Sequence, residues 1–188
     1  MTPEERSQRL RAEADQVLEL IRLRECCREI GDLTPTGSYF LDLMMYPDVD
    51  LYLPASSPEA LMKVAAKLAL HDSVKEIVFQ KGGPADLADG LYLKPVVRFG
   101  AWERNWKIDI WSVSADIIRK KQVELADLKA RMSQDQRQLI LNYKFSILTA
   151  AGRTPMFSGI HIYRAVVNLG MTDFTEISGY LRENGITV

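Results

Sequence analysis

The chain has 188 residues, 47% of them hydrophobic and 26% charged, with 24 basic against 25 acidic side chains and a formal net charge of −1. That is ordinary globular sequence, long enough for one core or for a core with a helical appendage. It lacks the basic footprint of a protein built to grip long nucleic acid, so no long nucleic acid is expected as a partner.

The two cysteines, Cys26 and Cys27, are adjacent; on a helix they point in different directions and suggest neither a disulfide nor a zinc site. The opening MTPEERSQRLRAEAD is too polar for a signal peptide, and no segment approaches ~18 continuous apolar residues. The expectation is a cytoplasmic protein with no membrane partner.

Thr2-Pro3-Glu4-Glu5 opens a helix: a capping hydroxyl, a proline in the first turn, then acids where the helix dipole favours them. Leu10, Ala14, Val17, Leu18 and Ile21 give it an apolar stripe to about Ile30, and Gly31-Asp32 ends it. Leu33 to Thr36 reads as a short strand, followed by the small-residue turn Gly37-Ser38, a bulky apolar segment, and a strand from Asp48 to Leu53. Ser57-Pro58-Glu59 starts a helix that ends near His71, and Val74 to Gln80 is a strand.

Lys81 to Gly90 is a loop, and Leu91 to Phe99 is a strand in which Pro95 implies an edge or a bulge. Asn105 to Val113 is the last strand. From Ser114 onward only helices are predicted, at about Ser114–Met132, Ser133–Ala151, Ser158–Leu169 and Thr172–Asn184. The fold class is therefore α/β (α+β): a mixed sheet flanked by helices over residues 1–113, then an all-helical region over 114–188.

Three acids interrupt strands that otherwise want apolar residues. Asp48 and Asp50 project from one face of their strand, ~6.6 Å apart at about 3.3 Å of rise per residue. Like charges this close cost ~4 kcal/mol at ~4 Å and an effective dielectric near 20 unless something cancels them. Asp109 interrupts NWKIDIWSV in the same way, sharing a face with Lys107 and Trp111 while Trp106, Ile108 and Ile110 take the other. If the two strands are neighbours, the three carboxylates meet over one patch of sheet and suit a hard cation such as Mg²⁺.

Gly37-Ser38, a nine-residue gap from Tyr39 to Pro47, Asp48-Val49-Asp50, and a later strand carrying Asp109 together resemble the signature of the DNA-polymerase-β-like nucleotidyltransferase superfamily. The resemblance covers roughly Ile30 to Val113. It implies that Gly37 and Ser38 hold nucleotide phosphates, that Asp48 and Asp50 hold Mg²⁺ with Asp109 close by, and that Asp109 assists an attacking hydroxyl. The implied activity is transfer of a nucleoside monophosphate, AMP from ATP being the commonest family choice, to a hydroxyl of a small molecule or protein.

Many small members carry a basic residue after the Gly-Ser pair, where this chain has Tyr39-Phe40, so the counter-charge for the triphosphate must come from elsewhere. Lys107 is the first choice among Lys94, Arg98, Arg104 and Lys107; Lys144 loosely resembles a late basic residue that contacts phosphates in some members. His71 and His161 read as ordinary helix residues, and the tryptophans mostly as core. The alternative from another class is a non-catalytic binding module that keeps the fold.

Overall fold

The computed structural model describes residues 1–188. Its N-terminal part carries α1 (Pro3–Leu20), α2 (Leu23–Cys27), α3 (Gly37–Leu41) and α4 (Pro58–Ala69) around one five-stranded sheet. The strands are β1 (Thr34–Thr36), β2 (Asp48–Pro54), β3 (Val74–Lys81), β4 (Leu91–Val97) and β5 (Trp106–Val113). Their order is β1-β2-β5-β4-β3, and only β2 and β5 run parallel.

Period-two alternation sorts the two inner strands. Val49, Leu51, Leu53, Trp106, Ile108 and Ile110 point into the larger core, where they meet Leu10 and Val17 of α1 and Leu61 and Leu68 of α4. The opposite face of the same strands is left for Asp48, Asp50, Lys107, Asp109 and Trp111.

Several local expectations need correction, among them the helix expected to run from Ser133 to about Ala151, which ends at Ser146. The first helix does not run unbroken to Ile30: Arg22 adopts a left-handed conformation (φ 50°) between α1 and α2. In a continuous helix Ile21 and Leu23 would lie ~200° apart at about 100° per residue; the break lets both be fully buried.

Pro95 does not mark an edge, although the β3–β4 pairing shifts register beside it, where Val74 and Glu76 face Val97 and Val96. β4 is an interior strand, and its pairing with β5 lapses between Leu93↔Ile110 and Val96↔Lys107. A residue without an N–H is accommodated there by a gap in the ladder.

Four helices follow: α5 (Ala115–Arg131), α6 (Gln134–Ser146), α7 (Ile160–Tyr163), which continues as a π turn through Asn168, and α8 (Phe174–Glu183). Ser114, Ser133 and Asp173 cap α5, α6 and α8 with their side-chain oxygens. These helices bury a second core with Leu41, Leu43 and Met45, while Met44 between them faces the sheet's core.

The segment from Phe40 to Met45 is thus a seam between the two cores, and it has no strand partner for its carbonyls. Buried backbone acceptors need donors, and cations supply them. Lys129 Nζ donates to Phe40 O (2.7 Å), Arg137 to Asp42 O (3.1 Å), Lys144 Nζ to Leu43 O (2.5 Å) and Arg6 Nε to Met45 O (2.7 Å). The seam leads directly into β2, so this clamp fixes where Asp48 and Asp50 begin.

Candidate active site

The parallel pairing of β2 and β5 sets Asp50 opposite Asp109, Asp48 opposite Lys107 and Tyr52 opposite Trp111. Paired residues project to the same side of a sheet, so the three aspartates share one face, as the sequence pattern anticipated. On the other side of β2, Thr36 at the end of β1 pairs with Asp50. The chain then turns at Gly37, whose backbone is left-handed (φ 58°). A Cβ there would collide with Asp50 Oδ2 and come within 3.2 Å of Asp50 Cβ. Glycine is required twice over, by conformation and by space, and the Gly37-Ser38 turn presses directly on one carboxylate.

Asp109 is held from the far side. The Tyr92 hydroxyl, on β4, donates to Asp109 Oδ1, and the Tyr92 ring packs on Trp111 with centroids 4.7 Å apart. One carboxylate oxygen is committed, which fixes the ring of possible positions for the other. Burial and this acceptor raise the Tyr92 phenol well above its ordinary value.

Burial, then the charge of Asp109, pushes Asp50 up to about 7; Lys144 and Arg153 act against the shift. Asp48 is raised well above its ordinary value by burial and by the charges of Asp109 and Asp50, and its buried Oδ1 has no hydrogen-bond partner. An orphaned buried carboxylate oxygen is rare in a folded protein and calls for an explanation such as an ion.

No three acidic, histidine or cysteine side chains converge tightly enough to form a complete ligand set by themselves. The donor set fits Mg²⁺ as that ion is usually bound, by one or two carboxylates with substrate phosphate oxygens completing the shell.

A cleft of about 510 Å³ opens beside Asp50. It is lined by Thr36, Gly37 and Ser38 on one side, by Tyr52 and Trp111 on the sheet, and by α5 and the α7 segment on the other. Its cations are Lys121, paired with Asp86 at 2.7 Å, and Arg164, paired with Glu124 at 2.5 Å. Neither stands out in the sequence, because a lysine on a charged amphipathic helix carries no signal of what it faces. His161 also lines the cleft, and burial together with Arg164 lowers its pKa.

Lys107 shares a face with Asp48 but does not line the cleft. Lys144 is fully buried behind it, donating to Leu43 O and to the Tyr163 hydroxyl (3.1 Å); burial lowers it to about 7 against the pull of Asp50 and Asp48. Tyr39, in place of the usual basic residue, donates to Asp15 (2.6 Å) beneath the Arg11 guanidinium. Asp42 faces Lys129 and Arg11. Arg153, whose charge acts on both Asp48 and Asp50, was hidden in the sequence as part of a helix-breaking Gly-Arg-Thr-Pro.

No family model and no curated protein matches the chain. Solved structures do. A cytoplasmic RNA terminal U-transferase superposes with a TM-score of 0.52 at 15% identity, over 86% of this chain and 53% of that one. Cid1 bound to the UTP analogue UMPNPP gives 0.53 at 13% identity, over 83% and 47%. The non-canonical poly(A) polymerase GLD-2, in complex with GLD-3, gives 0.53 at 15% identity, over 98% and 63%.

This is the nucleotidyltransferase fold. The architecture implied by the Gly-Ser…Asp-x-Asp…Asp pattern is the one observed: a mixed sheet flanked by helices and followed by further helices. The chain spans about half to two thirds of the length of these nucleotidyltransferase structures, and at such identity the likeness carries the fold alone.

Proposed function

We propose that this protein is a metal-dependent nucleotidyltransferase that moves a nucleoside monophosphate from a nucleoside triphosphate to a hydroxyl. The observation that carries the reading is the left-handed Gly37 turn packed against Asp50, in register with Asp109 on the neighbouring strand. A turn that only reversed the chain would have no need to meet a half-buried acid.

In this reading the triphosphate lies in the cleft against the backbone N–H groups of the Gly37-Ser38 turn and the Ser38 hydroxyl. Lys121 and Arg164 supply the counter-charge that Tyr39 does not. Asp48 and Asp50 would hold Mg²⁺, which would supply positive charge to offset that of the phosphates during transfer. Asp109, one oxygen held by Tyr92, orients the acceptor hydroxyl with the other oxygen or takes its proton. Trp111, Tyr46 and Tyr163 give the cleft aromatic surface for a base. Most of the rate enhancement would come from positioning and charge stabilisation.

ATP is the donor to test first, with AMP as the transferred group; UTP comes second, because a U-transferase shares the fold. The expected acceptor is a hydroxyl of a small molecule or protein, and an RNA end joins the list because RNA-directed enzymes are among the similar structures. Incubation with each of the four triphosphates and Mg²⁺, followed by mass spectrometry of small-molecule, protein and oligonucleotide acceptors, should show a mass increase of one nucleotide monophosphate and release of pyrophosphate. Magnesium-dependent binding without any transfer across these acceptors would favour the non-catalytic module.

A further inference from the structure

The cleft accounts for one end of the carboxylate row, where Asp50, Tyr52 and Trp111 lie. The other end, around Asp48, is surrounded by cations. Lys107 sits opposite Asp48 on β5. On β4, continuing the register across the Pro95 gap sets Lys94 opposite Asp109, on the face that carries Tyr92.

Arg104 lies in the turn before β5, and Arg153 reaches the same place from the loop after α6. Gly152 packs so closely on Glu103 that a Cβ would fall 2.7 Å from its Oε2. Thr154 is close enough to the Tyr46 phenol to act on it, and Pro47 O, next along from Tyr46, accepts from the Lys107 N–H at 3.0 Å. That chain of contacts brings Arg153, Arg104 and Lys107 to one rim.

None of these four cations is ion-paired. By contrast, Lys121 and Arg164 in the cleft each have a carboxylate partner, and the nearby Glu103 is taken by Arg6 at 2.9 Å. The acids that remain in reach are Asp48, Asp50 and Asp109, and the nucleotidyl-transfer reading commits those to Mg²⁺ and the acceptor hydroxyl. The working site therefore leaves four half-buried cations on one rim without a counter-ion. Such a rim is repulsive unless an anion fills it.

We propose that Lys94, Arg104, Lys107 and Arg153 form an anion subsite that binds a phosphate ester of the acceptor, next to the hydroxyl that Asp109 orients. The acceptor is thus a phosphate-bearing molecule, either a sugar phosphate or the end of a nucleic acid strand. This rests on the nucleotidyl-transfer reading, and for a strand end it departs from the expectation of no long nucleic acid drawn from the near-zero net charge: four clustered cations leave the total almost unchanged.

The test is direct binding without triphosphate, by fluorescence anisotropy of a labelled five-nucleotide RNA across a salt series. With about 0.7 of log–log salt slope per phosphate contact on a single strand, the wild type should show a slope of up to about −2.8. Arg104→Gln with Arg153→Gln should halve that slope and weaken binding about tenfold; Lys94→Gln should lower it by one contact. Arg119→Gln with Lys120→Gln, on the outer part of α5, should change neither.

Thermal melting of each variant guards against misfolding, and Lys94→Gln serves if the double variant does not fold. Competition by a sugar phosphate assigns the subsite to a single phosphate, and failure to compete assigns it to successive phosphates of a strand. Equal affinity and slope in wild type and double variant, or no binding of either phosphate probe by the wild type, would overturn the proposal. Binding of ATP with Mg²⁺ is measured alongside on the wild type, which should bind it. Its absence from the wild type would instead overturn the nucleotidyl-transfer reading, so the two failures are distinguishable.

Discussion

Replacing Gly37 by alanine separates a structural glycine from a site glycine. Two effects are present at this position and only one at its controls. The left-handed backbone (φ 58° at Gly37) costs an L-residue about 1–2 kcal/mol. At ~2–4 °C per kcal/mol for a chain of this size, that is a fall in melting temperature of about 2–8 °C.

Gly170 (φ 70°) and Gly185 (φ 74°) carry the same strain with nothing within 4 Å of a new Cβ, so Gly170→Ala and Gly185→Ala should lose similar stability and keep activity. At Gly37 the new methyl also strikes Asp50 Oδ2. Either the turn opens or the carboxylate moves by the order of an ångström, and displacement on that scale costs about 10²-fold in rate. Pyrophosphate release and Mg²⁺-dependent nucleotide binding are the readouts. A Gly37→Ala protein with the activity of Gly185→Ala would refute the role given to the turn.

The raised pKa of Asp50 has a signed consequence in the metal-free protein. Between 3.8 and about 7 the folded state binds more protons than the unfolded one, so this group makes stability fall as pH rises through that window and stay low above it. Asp48→Asn with Asp50→Asn should therefore raise the melting temperature in chelator at pH 8, by at least ~3 °C, while abolishing stabilisation by nucleotide and Mg²⁺.

Lys144 is shifted the other way. Between about 7 and 10.5 the unfolded chain binds more protons, so stability rises with pH. Lys144→Met removes that rise and leaves Leu43 O without its donor, at about 1–3 kcal/mol. Urea titrations should show the gap between wild type and variant widening from pH 7 to pH 9.5. Tyr92→Phe frees Asp109 Oδ1 and should reduce transfer by roughly tenfold, with nucleotide affinity unchanged by calorimetry.

The parts of this molecule that were legible in its sequence are those where a local rule and the tertiary structure agree. Alternation in NWKIDIWSV assigned Trp106, Ile108 and Ile110 to the core and Asp109 to the other face without knowledge of the partner strand. The capping patterns at Thr2, Ser114 and Ser133 set helix starts to within a residue.

What stayed hidden depends on the partner an element meets. The left-handed break at Arg22 exists because Ile21 and Leu23 both find core, and the gap at Pro95 because β4 is interior. Lys121, Arg153 and Arg164 became site candidates only when helices far along the chain closed over the sheet. The short helix α3 was masked by the Gly-Ser turn that begins it.

The central claim is that Asp48 and Asp50, beside the Gly37-Ser38 turn, bind a nucleotide through a shared cation. Isothermal titration of the wild type with a non-hydrolysable ATP analogue, with Mg²⁺ and then with chelator, tests it most directly. The account predicts saturable binding in Mg²⁺ that is lost in chelator and in Asp48→Asn/Asp50→Asn. Binding of equal strength in the two conditions, or in the double variant, would contradict it.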